Sequence, residues 1–237
     1  MSKGSAYLNI WMEVIRHLNE AVVDCRSGVQ DAVSAVDKAV AYYAGSRTIE
    51  GNSEGVLLYA LAETLALQMN NMGFALVNVD IFREFKSIQA NLLANETALC
   101  DQVERSKEYI VTMMMVPMIQ SIMRSAYMQG TEPPTEQEDS EKIDAEGATF
   151  ASTMLPFIHS CESRAAEIIH SHMKLGVIAN FSEVQEVLES TYTCLNITSE
   201  QVGIVANMTP TTSSGWIFSK GSIWVTIVMS VLITGSF

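Results

Sequence analysis

Residues 29–43 read Val-Gln-Asp-Ala-Val-Ser-Ala-Val-Asp-Lys-Ala-Val-Ala-Tyr-Tyr, and this stretch decides the fold class. Its large apolar side chains recur at every third or fourth position: Val29, Val33, Val36, Val40 and Tyr43. That spacing places them on one face of an α-helix, so the pattern predicts an amphipathic helix. The leucines of residues 57–69 repeat the pattern and predict a second helix.

The rest of the chain extends the helical pattern. We expect helices over residues 8–23, 80–93, 100–128, 145–173 and 181–190, with a kink or restart at Pro117 and a kink at Pro156. No apolar/polar alternation of strand length occurs, so the sequence predicts an all-α helical bundle.

Composition divides the chain into three parts. Residues 6–206 are expected to form one helical lobe, interrupted by a surface loop at 130–141 that holds two prolines and five acidic residues. Residues 207–215 are rich in Thr and Ser and are interpreted as a stalk, and residues 216–237 form an apolar tail.

The tail is organised like a glycolipid-anchor signal. Small residues at 213–215 precede a short spacer with Lys220 and then a charge-free apolar run that reaches Phe237. The run is shorter than the roughly 20 residues of a membrane-spanning helix. A short membrane span and a C-terminal core helix or strand are the alternatives.

Asparagines and cysteines favour an extracellular location. Glycosylation sequons begin at Asn95, Asn180 and Asn196, and a poorer one begins at Asn207 before Pro210. The four cysteines, an even number, are expected to form two disulfides: Cys25, Cys100, Cys161 and Cys194. Spacing does not fix the pairing, although Cys161 with Cys194 closes a shorter loop and is preferred; four buried thiols are the alternative.

The N-terminal residues are not those of a secretory signal, because Glu13, Arg16 and His17 interrupt any apolar core. We therefore expect the chain to be the C-terminal part of a longer protein. It would lie at the extracellular face of the plasma membrane or in a periplasmic space, attached to the membrane by its C-terminus.

Charge and motifs argue against a nucleic-acid-binding protein and against an enzyme. The net charge is −13, from 27 acidic and 14 basic residues, and an acidic surface argues against nucleic acid as a partner. The sequence lacks a nucleotide-binding glycine loop and the G-x-S-x-G, H-E-x-x-H and C-x-x-C motifs, so we do not expect an enzyme. A metalloprotease built on His159 and Glu162 is a distant alternative.

Several polar residues lie beside apolar helix stripes, where an unpaired charge is costly. The candidates with donor atoms for a hard cation are Asp37, Tyr43, Glu63, Glu146 and His159. Arg124 and Tyr127 have similar apolar surroundings. Ion pairing or exposure of each residue is the alternative interpretation.

Six segments, taken in order, resemble one known family. They are residues 37–46, 57–63, 78–85, 117–127, 145–151 with 155–159, and 192–198, within a resemblance that runs from about Trp11 to Gly203. In this order they resemble the low-iron-inducible periplasmic proteins of algae, the phytotransferrins. The ordered set carries the resemblance, since no single motif is diagnostic.

The resemblance implies a surface protein of high-affinity iron uptake that binds ferric iron with carbonate. On this reading Asp37, Tyr43, Glu63, Glu146 and His159 lie near the metal. Arg124, with Tyr127 beside it, holds carbonate through the planar fork of the guanidinium. A reductase or endocytic partner stays unidentified. The alternative is a structural or adhesion ectodomain whose buried polar groups pair with one another.

Overall fold

The computed structural model describes residues 3–29, 31–45, 57–69, 74–94, 96–131 and 136–205. Within these ranges the chain forms ten α-helices, a short 3₁₀ turn at Thr97–Leu99 and no strand, which confirms the all-α prediction. The helices are α1 Lys3–Ser27, α2 Ala32–Ala44, α3 Leu58–Gln68, α4 Leu76–Leu93, α5 Cys100–Met113, α6 Met115–Gly130, α7 Gln137–Cys161, α8 Ser163–His172, α9 Phe181–Thr191 and α10 Ser199–Val202.

Two predicted long helices are each divided. The helix expected over 100–128 restarts at Met115 rather than at Pro117. Pro117 is the third residue of α6, where the helix does not need the backbone N–H that proline lacks. Pro156 is likewise tolerated inside α7, and the break comes at Glu162, whose backbone is extended (φ −152°, ψ 110°).

The acidic loop is shorter than expected. The prediction of a loop over 130–141 is wrong for Gly130, which ends α6, and for the last five residues, because α7 begins at Gln137. Asp139 therefore lies in the first turn of that helix, where the positive end of the helix dipole favours a carboxylate, and Glu141 follows in the second turn.

Helix α6 runs through the middle of the core. It packs against α3, α5, α7, α9 and α10, and its residues from Met115 to Tyr127 are buried except for Arg124. Arg124 is the one charged residue of α6, so the fold places a single cation on an otherwise uncharged central helix. The methionines around Met118 are buried and fill this core.

Two disulfides join distant helices, as the sequence predicts. Cys25 near the end of α1 is bonded to Cys100 at the start of α5, with Cα atoms 5.7 Å apart. Cys161 at the end of α7 is bonded to Cys194 in the turn after α9, with Cα atoms 5.8 Å apart. The preferred pair is therefore confirmed.

No helix in the described ranges is both long and apolar enough to cross a membrane. The predicted stalk, the apolar tail and the sequons at Asn95 and Asn207 lie outside the described residues.

Candidate functional site

A cavity of about 450 Å³ lies between α1, α3, α6 and α7, and it contains two of the predicted site residues. Its apolar lining is Tyr7, Leu61, Leu65, Met128, Ile143 and Phe150. Its polar lining is Thr64, Gln68, Ser121, Arg124, Ser125, Asp139, Lys142 and Glu146. The cavity thus combines an apolar wall with two cations, two carboxylates and several neutral polar groups.

A glycine brings α6 and α7 together at this cavity. A Cβ atom added to Gly147 would lie 2.7 Å from the Cβ of Ser125 and 2.8 Å from the Cε of Met173. Real Cβ atoms do not approach so closely, so only glycine permits this helix separation without a shift. Arg124 and Glu146 each precede one member of the close pair, and both line the same cavity.

The guanidinium of Arg124 is the most unusual group in the cavity. Its Nε atom is buried and has no hydrogen-bond partner among the described residues. Burial lowers the pKa of Arg124, while the neighbouring Glu146 carboxylate acts in the opposite direction. Because an arginine keeps its proton in proteins, the cavity wall carries a partly desolvated cation with an unused donor.

Two further polar residues line the cavity: Tyr7, which carries a phenol, and Gln68, which has an unpartnered acceptor. Burial, and secondarily the Glu146 carboxylate, raise the pKa of Tyr7, so its hydroxyl stays protonated at neutral pH. The ring of Tyr7 stacks on Phe150 with centroids 6.1 Å apart. The Oε1 atom of Gln68 is buried without a hydrogen-bond partner among the described residues.

Sequence reasoning missed both residues, although a signal for Gln68 exists. Gln68 follows Leu61 by seven positions and Thr64 by four, so all three lie on the same face of α3. A polar residue continuing an apolar stripe at that spacing indicates a cavity or a buried partner. Tyr7 gives no comparable signal, because an aromatic residue near a helix start is ordinary core composition.

A second polar cluster joins two of the predicted metal ligands. The hydroxyl of Tyr43 donates a hydrogen bond to Oδ1 of Asn78. Asn78 Nδ2 donates to Oε1 of Glu63 at 2.6 Å, and Glu63 Oε2 accepts from the backbone N–H of Ala75 at 3.2 Å. Burial, with Glu63 as the next cause, raises the pKa of Tyr43 well above its usual value.

This cluster is closed within the protein. Asn78 Nδ2 also lies 3.1 Å from the backbone carbonyl of Tyr59, so the amide links α2, α3 and α4. Since the Tyr43 hydroxyl is a donor here and Glu63 accepts two hydrogen bonds, the cluster fits a structural role. The arrangement agrees with the alternative expectation that buried polar groups pair with one another.

The remaining predicted site residues lie elsewhere. Asp37 is exposed and accepts a hydrogen bond from Gln89 at 3.0 Å. His159 is exposed on α7, and Tyr127 is buried with its ring 5.2 Å from that of Phe181. In the described ranges, no three His, Cys, Asp or Glu side chains are grouped so that they could share a metal ion.

Both described sequons begin at exposed asparagines. Asn180 is the N-cap of α9, and its Oδ1 accepts from the backbone N–H of Glu183 at 3.4 Å. Asn196 lies in the turn after the Cys194 disulfide, with a φ of 55° that asparagine tolerates better than most residues. Their glycosylation remains a prediction.

Comparisons of the chain with protein-family models, with curated proteins and with solved structures found no match.

Proposed function

We propose that this protein binds ferric iron together with carbonate at the cell surface, and that the cavity beside Arg124 is the binding site. The observation that carries the proposal is the buried Nε of Arg124, which has no partner among the described residues and belongs to a cavity-lining side chain. An unpaired buried donor on a charged group is unfavourable, so an oxyanion that accepts a hydrogen bond from it would relieve that cost.

Carbonate suits this cation for geometric reasons. It is planar, and two of its oxygens match the parallel N–H groups of a guanidinium, as carboxylates do. Thr64 and Ser125 line the same cavity, and Lys142 adds a second positive charge at its edge. Tyr127 lies one turn after Arg124 but does not line the cavity.

The proposed iron donors differ from those expected from the sequence. Of the five expected ligands only Glu146 lines the cavity, and there it is accompanied by the Tyr7 phenol and the Asp139 carboxylate. Ferric iron prefers such oxygen donors. Since the pKa of Tyr7 is raised, its phenolate forms only when a cation replaces the proton, so acid releases the metal.

The test is an iron titration of the full-length chain in mild detergent, with and without bicarbonate. Ferric iron added as its nitrilotriacetate complex should produce a phenolate charge-transfer band only when bicarbonate is present. Arg124→Gln should remove the bicarbonate dependence, and Glu146→Gln should lower the iron affinity. Asp37→Ala, which removes an exposed carboxylate outside the cavity, is the matched control. Loss of affinity in Asp37→Ala with none in Glu146→Gln would contradict the proposed site.

A structural or adhesion ectodomain is the second candidate, and the closed cluster of Tyr43, Asn78 and Glu63 favours it. Here the buried polar groups have protein partners and need no ligand. Absence of iron binding under every bicarbonate condition, in a protein shown to be folded, would select this function.

Surface location and anchoring are parts of the same proposal, supported by the two disulfides and by the composition of the tail. Expressed behind a signal peptide, the full-length chain should be released from cells by a phospholipase that cleaves glycolipid anchors. Deletion of residues 216–237 should send the protein into the medium. Equal surface retention of the truncated chain would refute anchoring through the tail.

A further inference from the structure

The cavity is much larger than carbonate and a metal ion require. A four-atom oxyanion occupies roughly the volume of two water molecules, about 60 Å³. The cavity measures about 450 Å³, within the roughly 300–1,000 Å³ of sites that hold organic ligands. Most of its volume would therefore stay unused if carbonate were the anion.

The chemistry of the lining is also that of a site for an organic molecule. Leu61, Leu65 and Phe150 supply an apolar wall, against which a hydrocarbon body gains by leaving water. At the polar side, Arg124 and Gln68 line the cavity, and the buried Nε of Arg124 and Oε1 of Gln68 have no hydrogen-bond partner among the described residues. A ligand that satisfies both must present a negatively charged acceptor and a separate hydrogen-bond donor.

We infer that the cavity binds a small organic acid with an apolar body, whose carboxylate pairs with Arg124 and whose hydroxyl or amino group donates to Gln68. Bicarbonate supplies the charge but lacks the body. This inference rests on the proposed use of the Arg124 cavity as a ligand site, but it does not require iron.

Four probes separate the parts of the ligand. Mandelate carries a carboxylate, a hydroxyl and a phenyl ring; phenylacetate lacks the hydroxyl, benzyl alcohol lacks the carboxylate, and bicarbonate lacks the ring. Each is titrated calorimetrically into the full-length chain in nonionic detergent, in buffer freed of metal by a chelating resin. Mandelate should bind about threefold to tenfold more tightly than phenylacetate, the worth of one neutral hydrogen bond. It should exceed benzyl alcohol and bicarbonate by about tenfold or more.

Three variants assign the effects to residues. Arg124→Gln should weaken both acids about tenfold or more and leave benzyl alcohol unchanged. Gln68→Leu should abolish the advantage of mandelate over phenylacetate, and it gives an independent test if Arg124→Gln folds poorly. Arg164→Gln is the control, because Arg164 is exposed on α8, where its guanidinium pairs with Glu167 at 3.0 Å outside the cavity.

The outcomes distinguish this inference from the iron proposal. Mandelate binding no tighter than bicarbonate, or binding insensitive to both Arg124→Gln and Gln68→Leu, would overturn the inference. If bicarbonate-dependent iron binding persists in that case, the proposed function stands with carbonate as the anion. If neither iron nor any acid binds, both proposals fail together.

Discussion

Gly147 on α7 lies directly against Ser125 on α6, so closely that a Cβ atom at residue 147 would be 2.7 Å from the Ser125 Cβ. Two helices with ordinary side chains at this point would stand further apart. The contact therefore brings α6 and α7 close together beside Arg124 and Glu146. These two charged residues come immediately before Ser125 and Gly147.

Replacing Gly147 by alanine should test this contact. Gly147→Ala should lower the free energy of unfolding by about 1–3 kcal/mol, because the new methyl group overpacks the interface with Ser125 and Met173. Urea denaturation followed by circular dichroism measures the change. Ser152→Ala, at an exposed position of the same helix, should change stability by less than about 0.5 kcal/mol. A variant as stable as the parent would show that the helices have room to separate.

The partly buried charge of Arg124 should lower the free energy of unfolding of the parent protein. Arg124→Met replaces a partly buried guanidinium with an apolar chain of similar length, so we expect the free energy of unfolding to rise by about 1 kcal/mol or more. The same variant should lose any thermal stabilisation by bicarbonate, because a bound anion stabilises only a protein that retains its site. Strong destabilisation would instead indicate that Arg124 is satisfied in the folded protein.

The side-chain amide of Asn78 should contribute more to the free energy of unfolding than the Tyr43 hydroxyl that donates to it. Asn78→Ala leaves the Tyr43 hydroxyl without its acceptor and removes one of the two hydrogen bonds to the buried Glu63 carboxylate, so it should cost about 2–4 kcal/mol. Tyr43→Phe removes one donor and should cost about 1 kcal/mol. Gln89→Ala, which breaks an exposed hydrogen bond to Asp37, should have little effect in the same denaturation assay. Equal costs at Asn78 and Gln89 would contradict the network.

Helical periodicity predicted the fold class because each helix buries one apolar stripe, and that information is local. The positions of the breaks were harder to predict. Pro156 is tolerated inside α7, the break at Met114 lies three residues before Pro117, and the break at Glu162 has no proline or glycine beside it. The disulfide partners were predicted in part, because cysteine spacing gives loop lengths but not distances.

The site was predicted less well than the fold. The local sequence pattern identified Arg124 and Glu146 as polar residues beside apolar stripes, and the structure places both at one cavity. The same rule selected Tyr43 and Glu63, which pair through Asn78 instead. Sequence spacing does not report whether a buried polar group faces a protein partner or an open space, since that depends on a neighbouring helix.

The disulfides should differ modestly in their effect on stability. Cys25–Cys100 spans 75 positions and Cys161–Cys194 spans 33, and loop entropy predicts about 4 kcal/mol of stabilisation from each, slightly more for the longer loop. Cys25→Ser with Cys100→Ser, and Cys161→Ser with Cys194→Ser, should each lower the free energy of unfolding by that order. Urea denaturation of the secreted forms measures it, and reduction of the parent should reproduce the sum. Mass spectrometry that finds free thiols in secreted protein would contradict both bonds.

Alkaline pH should unfold the protein through its buried phenols. The pKa values of Tyr43 and Tyr192 are raised in the folded state, in both cases mainly by burial, whereas a tyrosine in the unfolded chain ionises near pH 10. Below about pH 10 both the folded and the unfolded state keep the proton, so these tyrosines do not lower the free energy of unfolding. Above it only the unfolded chain releases protons, so stability falls as pH rises, by up to about 1.4 kcal/mol per pH unit for each such tyrosine.

Urea unfolding between pH 9 and 11 should therefore show a steep decline that Tyr43→Phe reduces. Tyr42→Phe, which removes a more exposed phenol at the adjacent position, should leave the slope unchanged. If the two variants change the slope equally, the Tyr43 hydroxyl is open to solvent and the closed cluster with Asn78 and Glu63 is wrong.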